Sequence, residues 1–305
     1  MSILAIDGDS LIYKACFICQ KSVYDILPKG YFRNQLEPAS FTQYQPFLIQ
    51  TFRYVKEYKE WLKEHNKTED DFIRVVRVEM EPLSQAFWII SEMLKDMIRA
   101  EQPEQVIIYL TGVNNFREKL AQMRGYKESR KGREKPLYFQ PVKEFLITKW
   151  NAVVVDGYEA DDAVSILQYS CLQDDQICTI ATIDKDLQTV PGWNYNYDSK
   201  KKMFITPFQA SYNFYKQMLM GDKSDDIVGV PGIGEKRAKA LLDTAKTAEE
   251  LFQIVAGEYE RAFGLKDDKI GRKFSKKVSN KVLLENGQLL HMLRHKNDMW
   301  QCLGA

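Results

Sequence analysis

Short apolar runs punctuate the first two thirds of the chain: residues 3–6, QVIIYLT (105–111), NAVVVD (151–156) and QICTIATID (176–184). Each is too short for a helix and is bounded by polar or turn-forming residues, so each predicts a buried strand. Helical periodicity fills the intervals. A helix is expected from the first strand to about Gln20, another over LSQAFWIISEMLKDMIRA (83–100), and a third over EADDAVSILQYSCL (159–172). Strands alternating with helices predict an α/β fold with a mostly parallel central sheet flanked by helices.

Two stretches fit this rhythm less well. Residues 21–80 are aromatic-rich, and only FRYVKEYKEWLKEH (52–65) predicts a clear helix there. Residues 114–149 are expected to be mostly helical, interrupted at GYKESRKGREKP by Gly125, Gly132 and Pro136. From about 206 the pattern is all helical, which predicts a core over 1–205 and a helical region over 206–305. The chain shows no internal repeat and no low-complexity tail.

Charge adds to the picture through its distribution. At 305 residues and net charge +1, no global field advertises a polyanion partner. Residues 117–135, however, carry eight Lys/Arg against three Glu, and residues 266–281 carry seven against two Asp. Acids concentrate elsewhere, at 156–162, 184–186 and 222–226. Such separation suits a polyanion held over a metal site; solvated faces are the plain alternative. The five cysteines form no disulfide framework, and Cys16-x-x-Cys19 lacks a second zinc-spaced pair, so reduced core thiols are expected. No signal peptide or apolar run of about 18 residues is visible, which predicts a cytoplasmic protein with no membrane partner. His291 and His295 lie four apart with no third ligand near and are read as structural.

The acids recur where strands end: Asp7, then Glu159, Asp161 and Asp162, then Asp184 and Asp186. Strand C-termini of a parallel sheet share one edge, so these distant residues are expected to converge. Asp222 and Asp225 follow in GDKSDD. Crowded carboxylates resist joint ionisation unless a cation relieves them. Oxygen-only donors favour Mg²⁺ or Mn²⁺ over zinc, and two such ions can serve phosphodiester hydrolysis. Asp7-x-Asp9 alone also suits a haloacid-dehalogenase-type phosphatase, with GDKSDD as its late acidic motif. That reading leaves EADD and DKD unexplained, and GDKSDD follows an expected helix instead of a strand.

GDKSDDIVGVPGIGEKRAKALL (221–242) is the most specific stretch. Val230 to Gly234 predicts a tight turn whose glycines let backbone approach a phosphate, ahead of a helix carrying Lys236 and Arg237. This is helix–hairpin–helix chemistry for gripping a nucleic-acid backbone. Taken in order, IDGDS, NNFREKL, YKESR, EADD, TIDKD and GDKSDDIVGVPGIGEKRA resemble the 5′-nuclease family of flap endonucleases and 5′–3′ exonucleases. That family includes stand-alone phage-type enzymes and the nuclease domain of bacterial DNA polymerase I.

The resemblance implies a structure-specific 5′ nuclease acting on DNA, and on RNA of RNA–DNA hybrids, with two divalent ions and a monovalent ion at the hairpin. Replication proteins are its implied partners, and a monomer its implied state. By motif match, Asp7, Glu159 and Asp161 resemble the tighter metal site, with Asp162 between the sites or behind their ligands. Asp184, Asp186, Asp222 and Asp225 resemble the second. Residues 114–137 resemble the helical arch. There Lys127 and Arg130 would neutralise the scissile phosphate, Tyr126 would stack on a base, and Arg117 would steady a phosphate. Gly232, Gly234, Lys236 and Arg237 would hold the duplex backbone. Two positions depart from the pattern. Leu110 stands where the family has an Asp at the end of the second strand, leaving a water, Thr111 or a shifted Asp9 as candidates to fill in. Asp226 stands where the family has Asn, an extra charge that would cap the hairpin or alter the second site. Leu110 is also the one support for a non-catalytic DNA-junction binder on the same scaffold.

Overall fold

The computed structural model describes residues 1–29, 45, 48–264 and 276–302, without the side chains of 276–278. The basic run 266–275 lies outside them. The chain divides into two compact units. One comprises Met1–Ile12, Ser91–Lys135 and Lys143–Ala305; the other comprises Tyr13–Ile90 and Pro136–Val142. The division expected at 205/206 falls inside the first unit.

The first unit is organised around strand β1 (Ser2–Asp7), whose apolar residues are almost all buried. Helix α1 (Gly8–Cys19) begins directly at the end of that strand. In the second unit, β2 (Gln20–Pro28) pairs antiparallel with both β3 (Gln50–Phe52) and β4 (Phe72–Met80). Helix α2 (Val55–Glu64) lies between β3 and β4 in sequence, and Tyr58 and Leu62 of it pack on Ile26 and Phe52. Asp25 is buried in this sheet and held by Arg77 Nε at 2.7 Å and by Thr51 Oγ1 at 2.5 Å. This sheet escaped the sequence pattern: β4 alternates FIRVVRVEM with its apolar side chains only half covered, a weak signal.

Helix α3 (Leu83–Glu101) leads to β5 (Gln105–Thr111). Next come α4 (Phe116–Leu120), α5 (Phe139–Trp150), β6 (Val153–Val155), α6 (Ala160–Gln173) and β7 (Ile177–Ala181). Strands β8 (Gly192–Asn196) and β9 (Lys201–Ile205) complete a six-stranded sheet of order β6-β5-β1-β7-β8-β9. All neighbours are parallel except β8 and β9. β1 lies centrally between β5 and β7, and the chain passes from one side of it to the other after β6. Crevices at such reversals, outside the strand C-termini, are where α/β sheets place ligands. Helix α6 covers the sheet with Val164 and Cys171 against Ile3, Ala5 and Ile180.

The segment 114–137, expected to be helical up to an interruption at 125–136, keeps the interruption and holds less helix than expected. It is helical only over α4 and a single 3₁₀ turn at Glu128–Arg130. Lys127 has φ +53° and Gly132 φ +83°, both left-handed, and eight cations crowd the stretch. Continuous helix cannot accommodate the left-handed residues, and the like charges oppose it further.

After β9, helix α7 (Pro207–Met220) starts with a Thr206 cap bonded to the Gln209 N–H. A two-residue pairing of β10 (Gly221–Asp222) with β11 (Ile227–Val228) then brackets the acidic loop. This small strand pair interrupts the expected all-helical run. Gly221 and Gly229 meet so closely that a Cβ on Gly221 would sit 2.3 Å from Gly229 N. Helices α8 (Glu235–Leu242), α9 (Ala248–Phe263) and α10 (Lys276–Leu290) follow. Their apolar faces share one core that includes Tyr126, Met218, Ile233, Tyr259 and Trp300. Among the described residues, no helix is long and apolar enough to cross a membrane. All five cysteines are free thiols.

Candidate active site

Asp7 ends β1 and is buried, with Oδ1 accepting from Asp9 N–H at 3.1 Å and Oδ2 from Thr182 Oγ1 at 3.3 Å. Burial pushes its carboxyl up to about 6, and the charges of Asp9 and Asp184 push the same way. Glu159 and Asp161 reach the same edge from the start of α6, just after β6. Asp161 is raised well above the usual range by burial, then by Asp7, Asp184 and Glu159. Its Oδ1 is buried and has no hydrogen-bond partner among the described residues. Asp184 and Asp186 follow β7. Thr182 Oγ1 accepts from Asp184 N–H, and Asp184 Oδ1 accepts from Asp186 N–H, both at 2.9 Å. Asp186 is raised to about 7 by burial and by Asp184, Asp222 and Asp225.

The acidic loop closes the arrangement. Asp222 is buried and its Oδ1 accepts from Ser224 N–H at 2.6 Å, which turns the loop so that Asp225 points at residues 126–130. Tyr126 Oη donates to Glu159 Oε2 at 2.8 Å and Asp225 Oδ2 at 3.0 Å. Lys127 Nζ donates to Glu159 Oε1 at 2.5 Å, and Arg130 to Asp225 Oδ1 at 2.8 Å. Burial opposes the Lys127 charge, but Glu159 and Asp225 outweigh it and hold the ammonium above its ordinary range. Asp225 is raised by burial, against the pull of Lys127 and Arg130.

The donor set is all carboxylate oxygen, which suits hard divalent cations. The orphaned Asp161 Oδ1 and the mutual repulsion of Asp7, Asp161 and Asp184 fit a missing positive charge at this edge. Among the described residues, no three of these side chains close on one point as a ready metal cage. Glu159 and Asp225 are turned instead toward Lys127, Tyr126 and Arg130.

Several expectations are corrected. Arg117, expected to steady a phosphate, is 1% exposed. Its guanidinium grips Asp162 through two bonds of 2.5 and 2.9 Å and donates to the carbonyls of Leu289 and His291. Asp162, expected between the metal sites or behind their ligands, is taken up by that clasp and by the N–H groups of Glu159 and Leu293, which leaves it no place between the sites. Tyr126, expected to stack on a base, is 6% exposed with its ring in the helical core. Gly232 and Gly234 are exposed on the turn held by buried Val230 and Ile233, and Lys236 and Arg237 are exposed on the first turn of α8. His291 and His295 lie past the end of α10, not on it, and His291 bonds Asp298 at 2.9 Å.

Pattern reasoning missed Thr182 and Gln217 as organisers, and singled out Asp226 without its bond to Ser129. Gln217 Nε2 donates to Asp186 Oδ1 at 2.5 Å, and Asp226 Oδ2 accepts from Ser129 N–H at 2.7 Å. Thr182 was visible two residues before Asp184, as a hydroxyl able to cap a turn; Gln217 had no local signal.

A doubly wound sheet with an acidic edge, followed by a helical module with a glycine turn, defines the class to which this molecule conforms. The chain belongs to the 5′-3′ exonuclease family. Residues 50–213 match the 5′-3′ exonuclease N-terminal resolvase-like domain, and residues 213–297 match the C-terminal SAM fold. It is 31% identical to a 5′-3′ exonuclease of Buchnera aphidicola subsp. Schizaphis graminum over 162 residues, 49% of this chain and 56% of that protein. It is 29% identical to DNA polymerase I of Bacillus caldotenax over 180 residues, 53% of this chain and 20% of that protein. The chain thus spans about half or less of the length of these curated relatives. The fold resembles the T5 D15 protein co-crystallised with metal ions, with TM-score 0.53, 14% identity and coverage of 95% and 89% of the two chains. It resembles the bacteriophage T5 D15 flap endonuclease complex with DNA and metal ions at TM-score 0.53, 12% identity and the same coverage.

Proposed function

We propose that this protein is a structure-specific 5′ nuclease that hydrolyses phosphodiester bonds of DNA, and of RNA in hybrids, at the edge of its parallel sheet. One observation carries the reading. Acids from four separate segments meet there; Asp161 Oδ1 is buried with no partner among the described residues, while Lys127 and Arg130 face Glu159 and Asp225 of the same set. Asp7, Glu159, Asp161, Asp184, Asp186, Asp222 and Asp225 would hold two divalent ions, Mg²⁺ or Mn²⁺. When bound, such ions supply Lewis-acid chemistry to the phosphodiester.

The chain's own residues do the rest. Lys127 and Arg130 keep 27% and 46% of their side chains in solvent, so both are open to an entering phosphate. A phosphate there would compete for their charge, and they would offset the negative charge that grows on the scissile group. Tyr126 holds Glu159 and Asp225 in register. Gly232 and Gly234 leave open backbone where a Cβ would meet nothing, and the exposed Lys236 and Arg237 add charge for a duplex backbone. The products are expected to carry 5′-phosphate and 3′-hydroxyl ends. Cytoplasmic action as a monomer beside replication proteins, a monovalent ion at the hairpin, and a core over 1–205 with a DNA-binding region over 206–305 belong to the same proposal.

The test is cleavage of a 5′-labelled flap, a nicked duplex and an RNA–DNA hybrid in Mg²⁺ or Mn²⁺, with and without chelator. Chelator-sensitive release of short 5′ products is expected, abolished by Asp161→Asn and Asp184→Asn. Tight flap binding with no cleavage in either metal would favour the non-catalytic junction binder, which Leu110 supports. Hydrolysis of small phosphomonoesters, lost on Asp9→Asn, would favour a phosphatase.

A further inference from the structure

We infer that Asp9 supplies the proposed metal centre with a carboxylate from the first turn of α1, compensating for the hydrocarbon at position 110. This rests on the nuclease reading above. Leu110 is fully buried, and its side chain lies over the backbone of Gly8. A Cβ added to Gly8 would fall 2.7 Å from Leu110 Cδ2. The end of β5 therefore brings packing, and no charge, to an edge where its neighbours bring acids.

Asp9 reaches across to that place from the start of α1, two residues past the adjacent strand β1. Both of its carboxylate oxygens lie 3.3 Å from Thr111 N, the amide that follows Leu110. Thr111 is in turn fixed. Its Oγ1 accepts from Ala160 N–H at 2.9 Å, and its carbonyl accepts from Lys143 Nζ at 2.6 Å. One residue thus anchors Asp9 and the start of the helix that carries Glu159 and Asp161. Asp9 N–H donates to Asp7 Oδ1 at 3.1 Å, which sets the two acids relative to each other.

An ionised carboxylate offers about four lone-pair positions. Thr111 occupies part of this capacity through its N–H, shared between two oxygens at 3.3 Å, and its hydroxyl; the remaining positions can serve a cation. The groups facing Asp9 are Lys143, which opposes its charge, and Asp7 and Glu159, which repeat it. A first-turn acid of α1 needs only the helix dipole; adding this charge among other acids is favourable when a cation is shared.

Mn²⁺ binding to the full chain, followed by the paramagnetic resonance of free Mn²⁺, decides the matter. Parent, Asp7→Asn, Asp9→Asn and the double variant Asp9→Asn with Leu110→Asp are compared, with thermal midpoints in chelator as the folding control. Asp9→Asn is expected to weaken Mn²⁺ binding by on the order of tenfold or more with its midpoint near the parent's. Adding Leu110→Asp is expected to recover the loss. Unchanged affinity in Asp9→Asn beside a loss in Asp7→Asn overturns the inference alone. A parent that does not bind Mn²⁺ overturns the nuclease reading with it. Should Asn at position 9 prevent folding, Asp9→Ser, which keeps an acceptor for the Thr111 amide, is measured against the same outcomes.

Discussion

At Arg117 the segment after β5 buries its charge against Asp162, with side chains 2% and 0% exposed. Further along, Lys127 and Arg130 hold Glu159 and Asp225 while part of each cation stays in solvent. The residue types are the same and the partner acids lie on the same edge. The first pair is closed by two backbone carbonyls and two backbone amides, so no group is left for a ligand. The second pair is held by its own charges, by Tyr126 and by the Ser224 carbonyl, which accepts from Arg130 Nε at 2.9 Å, and it stays partly in solvent, so a cation can take the acids and a phosphate can take the bases. Burial, and not charge, separates a clasp that holds the fold from one that can open.

The largest expected effect tests that separation directly. Arg117→Met leaves Asp162 buried without its partner, and loss of one member of a buried pair costs about 3–5 kcal/mol. Urea denaturation should show that loss, whereas Lys127→Met should cost no more than about 1 kcal/mol, as for a partly exposed pair. Similar losses at both positions would break the comparison.

The next effect is catalytic. If the outer clasp serves the reaction, Lys127→Met should slow flap cleavage by on the order of 10²–10³-fold, the range for removing one preorganised charge donor. Mn²⁺ binding should not weaken, because the lysine competes for Glu159. A parallel fall in Mn²⁺ affinity would make Lys127 a structural support of the acids.

A smaller effect appears in pH. Asp7 rises from 3.8 to about 6 and Asp186 from 3.8 to about 7, chiefly through burial. The folded, metal-free protein therefore binds these protons more tightly than the unfolded chain. Their stabilising contribution is full below the unfolded value and is lost as pH rises through about 6 and then about 7. The thermal midpoint in chelator should fall over that interval, and Mn²⁺ should restore it most on the alkaline side. Asp7→Asn combined with Asp186→Asn should flatten the slope; an unaltered slope would place its origin elsewhere.

Much of this was legible in the chain and some was not, for physical reasons. The runs at 3–6, 105–111 and 176–184 gave β1, β5 and β7 because strands buried on both faces read as unbroken apolar stretches. Once those strands were parallel, convergence of Asp7, Asp161 and Asp184 followed from geometry. GWNYN and KKMFI gave no such signal, because β8 and β9 leave Trp193, Met203 and Phe204 partly in solvent. Arg117 and Tyr126 were misjudged for the same reason in reverse. Both sit in a basic, polar-looking stretch, and only the docking of the C-terminal helices and tail buries them. The interruption of helix at 125–136 was legible from Gly125, Gly132 and Pro136, but its form was not: Lys127 is left-handed where its amide bonds the Asp225 carbonyl at 3.1 Å.

The smallest expected effect lies at Asp226, where the loop bearing Asp225 meets the outer clasp. Its φ of +61° lies in the left-handed region, which Asn and Asp enter more readily than other residues with a Cβ. Its carboxylate accepts from Ser129 N–H at 2.7 Å and stands 3.8 Å from Arg124 NH1. Asn keeps both the backbone tolerance and an acceptor and gives up only the charge opposite an exposed arginine. Asp226→Asn should therefore leave the thermal midpoint unchanged and reduce its sensitivity to salt. Asp226→Ala loses the acceptor and the left-handed preference together, so it should lower the midpoint slightly and speed proteolysis within 124–131. If Ala and Asn behave alike, the Ser129 bond does not hold the clasp, and Lys127 and Arg130 are positioned by their acids alone.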